Sequence, residues 1–300
     1  MPGSRLFLQE RPLNLDDIVK KIEGLATLPQ VALHVLKVVN DPQAGAGDLK
    51  AVMESDLSLC ARVLRSANSS AYALRIKITN LQQAIAYLGL KQVRSLALAA
   101  NVSSMFQPDA YAGSYRTNDL WRHSVAVGIT ARLLGIRLNV PNYEDLFLAG
   151  LLHDIGILLE NEYVNARFCR VMESLDPART LCENENNHLG FDHTQLGARI
   201  AAKWGLPTSV QTAIAHHHSS SHMTGGTIEM VQYIEVANVL CTFKGISSVG
   251  VNLVRACPAL IAGMSLTKED LLAIAEQLDH ELAENSALLA LTKDPGERDD

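Results

Sequence analysis

Apolar residues recur at i, i+3, i+4 and i+7 through nearly the whole chain, and stretches that alternate apolar with polar residues are almost absent. This periodicity constrains the fold strongly, because side chains so spaced share one face of a helix but would scatter over both faces of a strand. "LPQVALHVLKVVND" is a clear instance, with Pro29 near its start and Asn40-Asp41-Pro42 as its stop. "DLKAVMESD", "LSLCARVLRSAN" and "NLQQAIAYLGLKQVRSLALAANVSSMF" follow, the last divided at Gly89. Further on, "DLWRHSVAVGITARLLGIRL", "YEDLFLAGLLHDIGILLENEY", "NARFCRVMESL", "HTQLGARIAAKWG", "PTSVQTAIAHHH" and "TIEMVQYIEVANVLCTF" read as helices, with two more before the charged tail "KDPGERDD". The fold class predicted is all-α.

A chain of 300 residues has room for two units. Pro, Gly, Ser, Tyr and Asn concentrate in "QPDAYAGSYRTN", residues 107–118, so the division is placed near residue 115. The expected organisation is a smaller helical part over 15–115 and a multi-helical bundle over 116–290. Asn68, Ser69 and Ser70 are read as a turn between helices, and Gly225-Gly226 as a flexible loop.

With 48% hydrophobic and 19% charged residues, the composition is that of a globular protein. No apolar run approaches the roughly 20 residues that cross a bilayer. "MPGSRLFLQERPLNLDD" lacks the apolar core of a secretory signal and carries acids early, so a cytoplasmic location without membrane contact is expected. A net charge of −6 supplies no overall field to attract nucleic acid. The helix-Gly-helix stretch around Lys91 and Arg94 reads as a packed pair, not as a reader of the major groove. Five cysteines, odd in number and never spaced as C-x-x-C, fit reduced and mostly buried thiols.

One stretch breaks the economy of the helices. "FLAGLLHDIGILLE", residues 147–160, sets His153 and Asp154 among apolar residues, where an ionised carboxylate without a partner costs several kcal/mol. A metal cation is an efficient partner. His123, His193 and the run His216-His217-His218 supply imidazoles on other helices, and imidazole with carboxylate suits first-row divalent metals such as iron, zinc, manganese or nickel. His216 and His222 are read as helix-end residues that favour the negative end of a helix dipole, and Asp192 as a helix cap. Glu183 and Glu185 could cap a helix or orient a histidine.

The order His123, His153-Asp154, His193, His217 resembles the HD superfamily of metal-dependent phosphohydrolases, named for the doublet found here in "LLHDIG". The first half narrows this: "LPQV", "VVNDP", "ESDLSLCARVLRSANSSAY" and "AIAYLGLKQVRSLAL" look like the start of an HDOD domain, the HD-related output domain of bacterial signalling proteins. The resemblance spans roughly residues 20 to 240. It implies an HD-like bundle in 116–290 that holds one or two divalent transition-metal ions. The ligands implied are His123 in "LWRHSVAVG", His153, Asp154, His193 in "GFDHTQLG" and His217 in "AIAHHHSS", with His218 and Asn238 as further candidates. Asn238 in "YIEVANVL" stands where the family's last Asp would fall, and an amide oxygen brings no charge. "HHSSSHMTGG" lacks the Glu and Gly-Tyr-Pro of the HD-GYP phosphodiesterases, so cyclic-dinucleotide hydrolysis is not expected. Two functions follow from the resemblance. One is a regulatory module that acts through signalling proteins or a nucleotide. The other is a phosphohydrolase acting on a nucleotide or phosphoester, with Asp154 as the catalytic candidate.

Overall fold

The computed structural model describes residues 13–23, 43–68, 76–106, 109–141, 143–222, 228–256 and 258–290, with scattered positions between 31 and 41. The full extents of the turn at 68–77 and of the helix at 28–41, the Gly225-Gly226 loop and the tail therefore lie wholly or partly outside the described residues, although Val31, His34, Val35, Lys37 and Val38 are helical. Within the described residues, the fold is an all-α bundle with one small hairpin. None of the described helices is long and apolar enough to cross a membrane.

Helices α1 (Leu15–Glu23), α2 (Ala46–Glu54), α3 (Leu57–Ala67), α4 (Leu81–Leu88) and α5 (Leu90–Val102) make up the first part. Local chemistry sets their limits. Asp56 accepts from the Leu59 N–H at the start of α3, Asn80 accepts from the Gln83 N–H at the start of α4, and Gly89, at φ +85°, turns the chain into α5. Asn68 closes α3 and uses its side-chain amide to hold both the N–H and the C=O of Ile78, as expected for a turn residue. Arg94 on α5 is buried and pairs with Asp145 of α7 (Glu144–Leu152).

The second part is centred on α6 (Thr117–Arg137), which packs against α7, α13 (Ile228–Phe243) and α15 (Lys268–Glu284). Between α7 and α13 come α8 (Ile155–Tyr163), α9 (Asn165–Glu173), α10 (Leu181–Leu189), α11 (His193–Lys203) and α12 (Thr208–His216). Helices α14 (Pro258–Gly263) and α16 (Ser286–Leu289) complete the set. The buried apolar side chains on both sides of residue 115 belong to one continuous core, which includes Met53, Val63, Leu96, Trp121, Phe147, Phe168 and Ile214. The chain start also returns to the second part: α1 packs on α11, and the Leu13 N–H donates to the Leu189 carbonyl.

Two glycines let the site helices approach closely. A Cβ on Gly150 would lie 2.7 Å from the Gly128 Cα, so α6 and α7 cross backbone to backbone there. A Cβ on Gly156 would lie 1.9 Å from the His193 carbonyl oxygen, so only glycine lets α8 meet the start of α11.

Three local features differ from the sequence expectation, the first being α10, a helix at Leu181–Leu189 where none was read because its Asn- and Glu-rich stretch carries little apolar periodicity. Tyr111–Ala112 and Tyr115–Arg116 form an antiparallel hairpin inside the stretch read as irregular, turning at Gly113-Ser114 with Gly113 at φ +55°. The single helix expected over "YEDLFLAGLLHDIGILLENEY" is two, α7 and α8, with His153 and Asp154 in the turn between them. Both flanking segments are buried on nearly every side, so their apolar pattern carries no gap to mark the break.

Candidate metal centre

The break between α7 and α8 is what frees the Asp154 carboxylate to face inward. Asp154 has φ −101° and ψ 16°, outside regular helix, and its side chain is 2% exposed. Four imidazole nitrogens surround it. Oδ2 lies 3.1 Å from His153 Nε2 and 3.5 Å from His123 Nε2, whereas Oδ1 lies 3.2 Å from His217 Nε2 and 3.4 Å from His193 Nε2. All four rings are fully buried. Each comes from a different place: His123 from α6, His153 from the end of α7, His193 from the first residue of α11 and His217 from the end of α12.

Every one of these rings is oriented through its other nitrogen. His123 Nδ1 donates to the Ile246 carbonyl at 2.7 Å, His153 Nδ1 to the Gly150 carbonyl at 2.7 Å, and His217 Nδ1 to the Ile214 carbonyl at 3.0 Å. His193 Nδ1 donates to Glu185 Oε2 at 2.6 Å, and the same oxygen accepts the His193 backbone N–H at 3.0 Å. A carbonyl can only accept, so in His123, His153 and His217 a proton resides on Nδ1 and the neutral form of each ring carries its free lone pair on Nε2; Glu185 likewise holds a proton on His193 Nδ1. Four Nε2 atoms and Asp154 Oδ1 have no hydrogen-bond partner among the described residues. Lone pairs converging on a buried carboxylate repel one another unless a cation sits among them. This donor set fits a divalent transition metal.

The electrostatics follow the same geometry. Burial, and then the neighbouring His153, push His123 down to about 4. Burial likewise takes His217 to about 4. Both rings are therefore neutral at neutral pH, the form that coordinates metal. Burial works against His193 as well, but Glu185, and then Asp154, outweigh it and raise that ring to about 9. Burial would raise Asp154, yet the surrounding imidazoles, His153 first, hold it well below the usual carboxylate range.

The ligand atoms fall into two overlapping sets that share Asp154: His123, His153 and Asp154, and then Asp154, His193, His217 and His218, each with candidate atoms within 4.8 Å of one another. His218 lies beside its neighbours, its ring centroid 4.2 Å from His217 and 5.3 Å from His193. Asn238 is buried on α13, accepts from the Thr242 hydroxyl at 3.3 Å, and lines a narrow recess together with His218. A cavity of about 310 Å³ opens next to His218, lined by Asp192, Thr194, Ser219, Glu235 and Arg255 among others.

Of the remaining sequence candidates, Asp192 caps α11, accepting from the Thr194 and Gln195 N–H groups. Glu183 caps α10 with Thr180, and exposed His216 ends α12. The His222 side chain lies outside what is described. Cys60, Cys169, Cys182 and Cys241 are free thiols. Sequence reasoning did not single out Glu160, which closes the apolar stretch of the doublet and is fully buried. Its signal was a second carboxylate ending an apolar run.

The HDOD domain family matches residues 25–220 of this chain, and the chain belongs to that family. Among solved structures, an HDOD domain protein of unknown function from Geobacter sulfurreducens superposes with a TM-score of 0.75 at 23% identity, covering 92% of this chain and 97% of that one. A Marinobacter aquaeolei protein whose name proposes a role in signal transduction gives 0.73 at 26% identity, covering 94% of this chain and 61% of that one. A Shewanella amazonensis protein whose name proposes a metal-dependent phosphohydrolase gives 0.61 at 21% identity, covering 93% and 98% of the two chains. A curated relative, an uncharacterized protein of Treponema pallidum, is 21% identical over 231 residues; these make up 75% of this chain but 44% of the relative. The chain thus spans less than half the length of that relative.

Proposed function

We propose that this HDOD domain is a signal-transduction or regulatory module that holds a divalent transition metal, iron, zinc, manganese or nickel, at His123, His153, Asp154, His193 and His217. The observation that carries the reading is the convergence of four unpartnered Nε2 atoms on one buried carboxylate. A cation there joins α6, α7, α11 and α12 and stabilises the folded arrangement by mass action. Metal occupancy or a nucleotide held beside it then biases which surface is offered to signalling proteins. The name of the Marinobacter relative supports a role of this kind.

The second reading is a metal-dependent phosphohydrolase acting on a nucleotide or phosphoester. The cavity beside His218 favours it, since it gives a ligand access next to the cluster, as does the name of the Shewanella relative. A metal bound there would supply Lewis acidity toward a phosphoryl oxygen. The chain's own part is to keep Nδ1–H groups engaged on carbonyls and Glu185 so that Nε2 lone pairs face inward, and to place Asp154 between the two ligand sets. Asn238, without a charge, supports the regulatory reading. Metal-loaded protein assayed on a panel of nucleotides and phosphoesters separates the two. No turnover with metal bound supports the regulatory module, and turnover that disappears in Asp154→Ala supports the enzyme.

A further inference from the structure

The cavity of about 310 Å³ beside His218 has walls of two kinds. Ala215, Leu253 and Val254 make one side apolar, whereas Ser219, Glu235 and Arg255 carry polar groups. Its volume falls at the lower end of small-ligand pockets, roughly 300–1,000 Å³. The places around it that would receive an anion are already filled. The start of α10 is capped by Thr180 together with Glu183, and the start of α11 by Asp192. The Arg255 guanidinium lies 3.1 Å from Glu183 Oε2. A phosphate would meet a carboxylate at each of these donors, so the cavity itself is poor in free donors. What it offers is an acceptor. Glu235 on α13 is 9% exposed, and its Oε2 accepts the Ser220 N–H at 3.1 Å, which fixes the carboxyl group. Oε1 has no donor among the described residues. An acceptor so buried and without a donor costs free energy that a ligand N–H recovers.

We propose that this cavity takes the base of a nucleotide whose phosphate is held at the metal cluster, and that Glu235 is a specificity-determining residue that accepts a hydrogen bond from an exocyclic amino group of that base. His218 lines the cavity and has its ring centroid 4.2 Å from that of His217, so the two sites adjoin. The apolar side suits a flat ring, and Glu235 Oε1 suits an N–H at the edge of that ring. Ser220 also sets what a substitution does. Its N–H needs an acceptor, so in Glu235→Gln the amide oxygen stays on Ser220 and the NH₂ takes the place of Oε1. That change turns the acceptor facing the cavity into a donor with little change of shape.

The base pocket rests on the reading of the centre as a metal site beside which a nucleotide is held. Calorimetry on the full chain loaded with Zn²⁺ tests it with nucleotide pairs that differ only by one amino group: AMP against purine riboside 5′-monophosphate, GMP against IMP, and CMP against its 4-deamino counterpart. The wild type should bind the amino member of at least one pair about tenfold more tightly, and Glu235→Gln should lose that preference while still retaining Zn²⁺. Equal affinities within all three pairs in the wild type, or a preference that survives Glu235→Gln, would overturn the base pocket and leave the nucleotide reading standing. If Glu235→Gln does not fold, the wild-type pairs decide alone. A wild type that takes up Zn²⁺ and inorganic phosphate but no nucleotide would overturn the base pocket and the nucleotide reading together. A wild type that takes up no Zn²⁺ would sink the metal reading, and the base pocket with it.

Discussion

Asp154 sits at 2% exposure with four imidazoles facing it, because the turn at 153–154 points it away from the apolar sides of α7 and α8, and a cation among those groups would balance its charge. A residue in that position was legible in the sequence, since a carboxylate in an apolar run demands a partner whatever the fold. Its partners on α11 and α12 were legible only through resemblance, because spacing along the chain says nothing about which helix ends meet. Glu185 was legible as an acid that could orient a histidine, and it does so for His193, whereas Glu160, alone at the end of an apolar run, reads as an ordinary acid although it is fully buried. Two substitutions test the residue-level account. Gly156→Ala drives a methyl into the His193 carbonyl and should cost about 1–3 kcal/mol in denaturant unfolding, together with loss of metal retention. Unchanged stability and metal content would mean that the α8–α11 contact does not set the site. Asn238→Asp adds a charge beside His218 and should tighten metal binding measurably by calorimetry; weaker or equal binding would place Asn238 outside the coordination sphere.

At the level of elements, helix periodicity, caps and glycine stops located most helices of the second part, since local chemistry decides them. Asp192 sits where the cap of α11 belongs, whereas α10, capped by Thr180, was not legible as a helix. The split of α7 from α8 could not be read, because burial on all sides leaves an apolar run without a polar face to interrupt. The hairpin at 111–116 had a signal, Gly-Ser between two Tyr-containing pairs, that was absorbed into a boundary reading. Caps also separate structural from site effects. Thr267 caps α15, remote in sequence from the cluster residues, whereas Asp192 caps the helix that begins with His193. Thr267→Ala and Asp192→Ala should each lower stability by about 1 kcal/mol, but only Asp192→Ala should weaken Zn²⁺ binding, by roughly tenfold. Equal Zn²⁺ affinity in the two variants, read by competition with a chelating dye, would show that the start of α11 needs no cap to hold His193.

For the whole molecule, the buried histidines tie stability to pH in opposite directions. His123 and His217 fall from 6.5 to about 4 on folding, so the unfolded chain binds more protons in that interval and stability declines as pH drops from about 6.5 toward 4. His193 rises from 6.5 to about 9, so its contribution is fully present below 6.5 and is lost as pH rises through about 9. Metal-free protein should therefore show its highest unfolding midpoint near the ordinary histidine range and decline on both sides. A flat profile would mean that these rings are not buried as described. Because coordination requires His193 Nε2 without its proton, metal affinity should rise with pH up to about 9.

Metal content speaks to all three scales at once. Chain purified without an affinity tag, reconstituted with divalent transition metal and dialysed, should retain about one equivalent or more per chain by elemental analysis, and Asp154→Ala should retain almost none. Less than about a tenth of an equivalent in the wild type, or equal retention in Asp154→Ala, would contradict the assignment of this cluster as a metal centre.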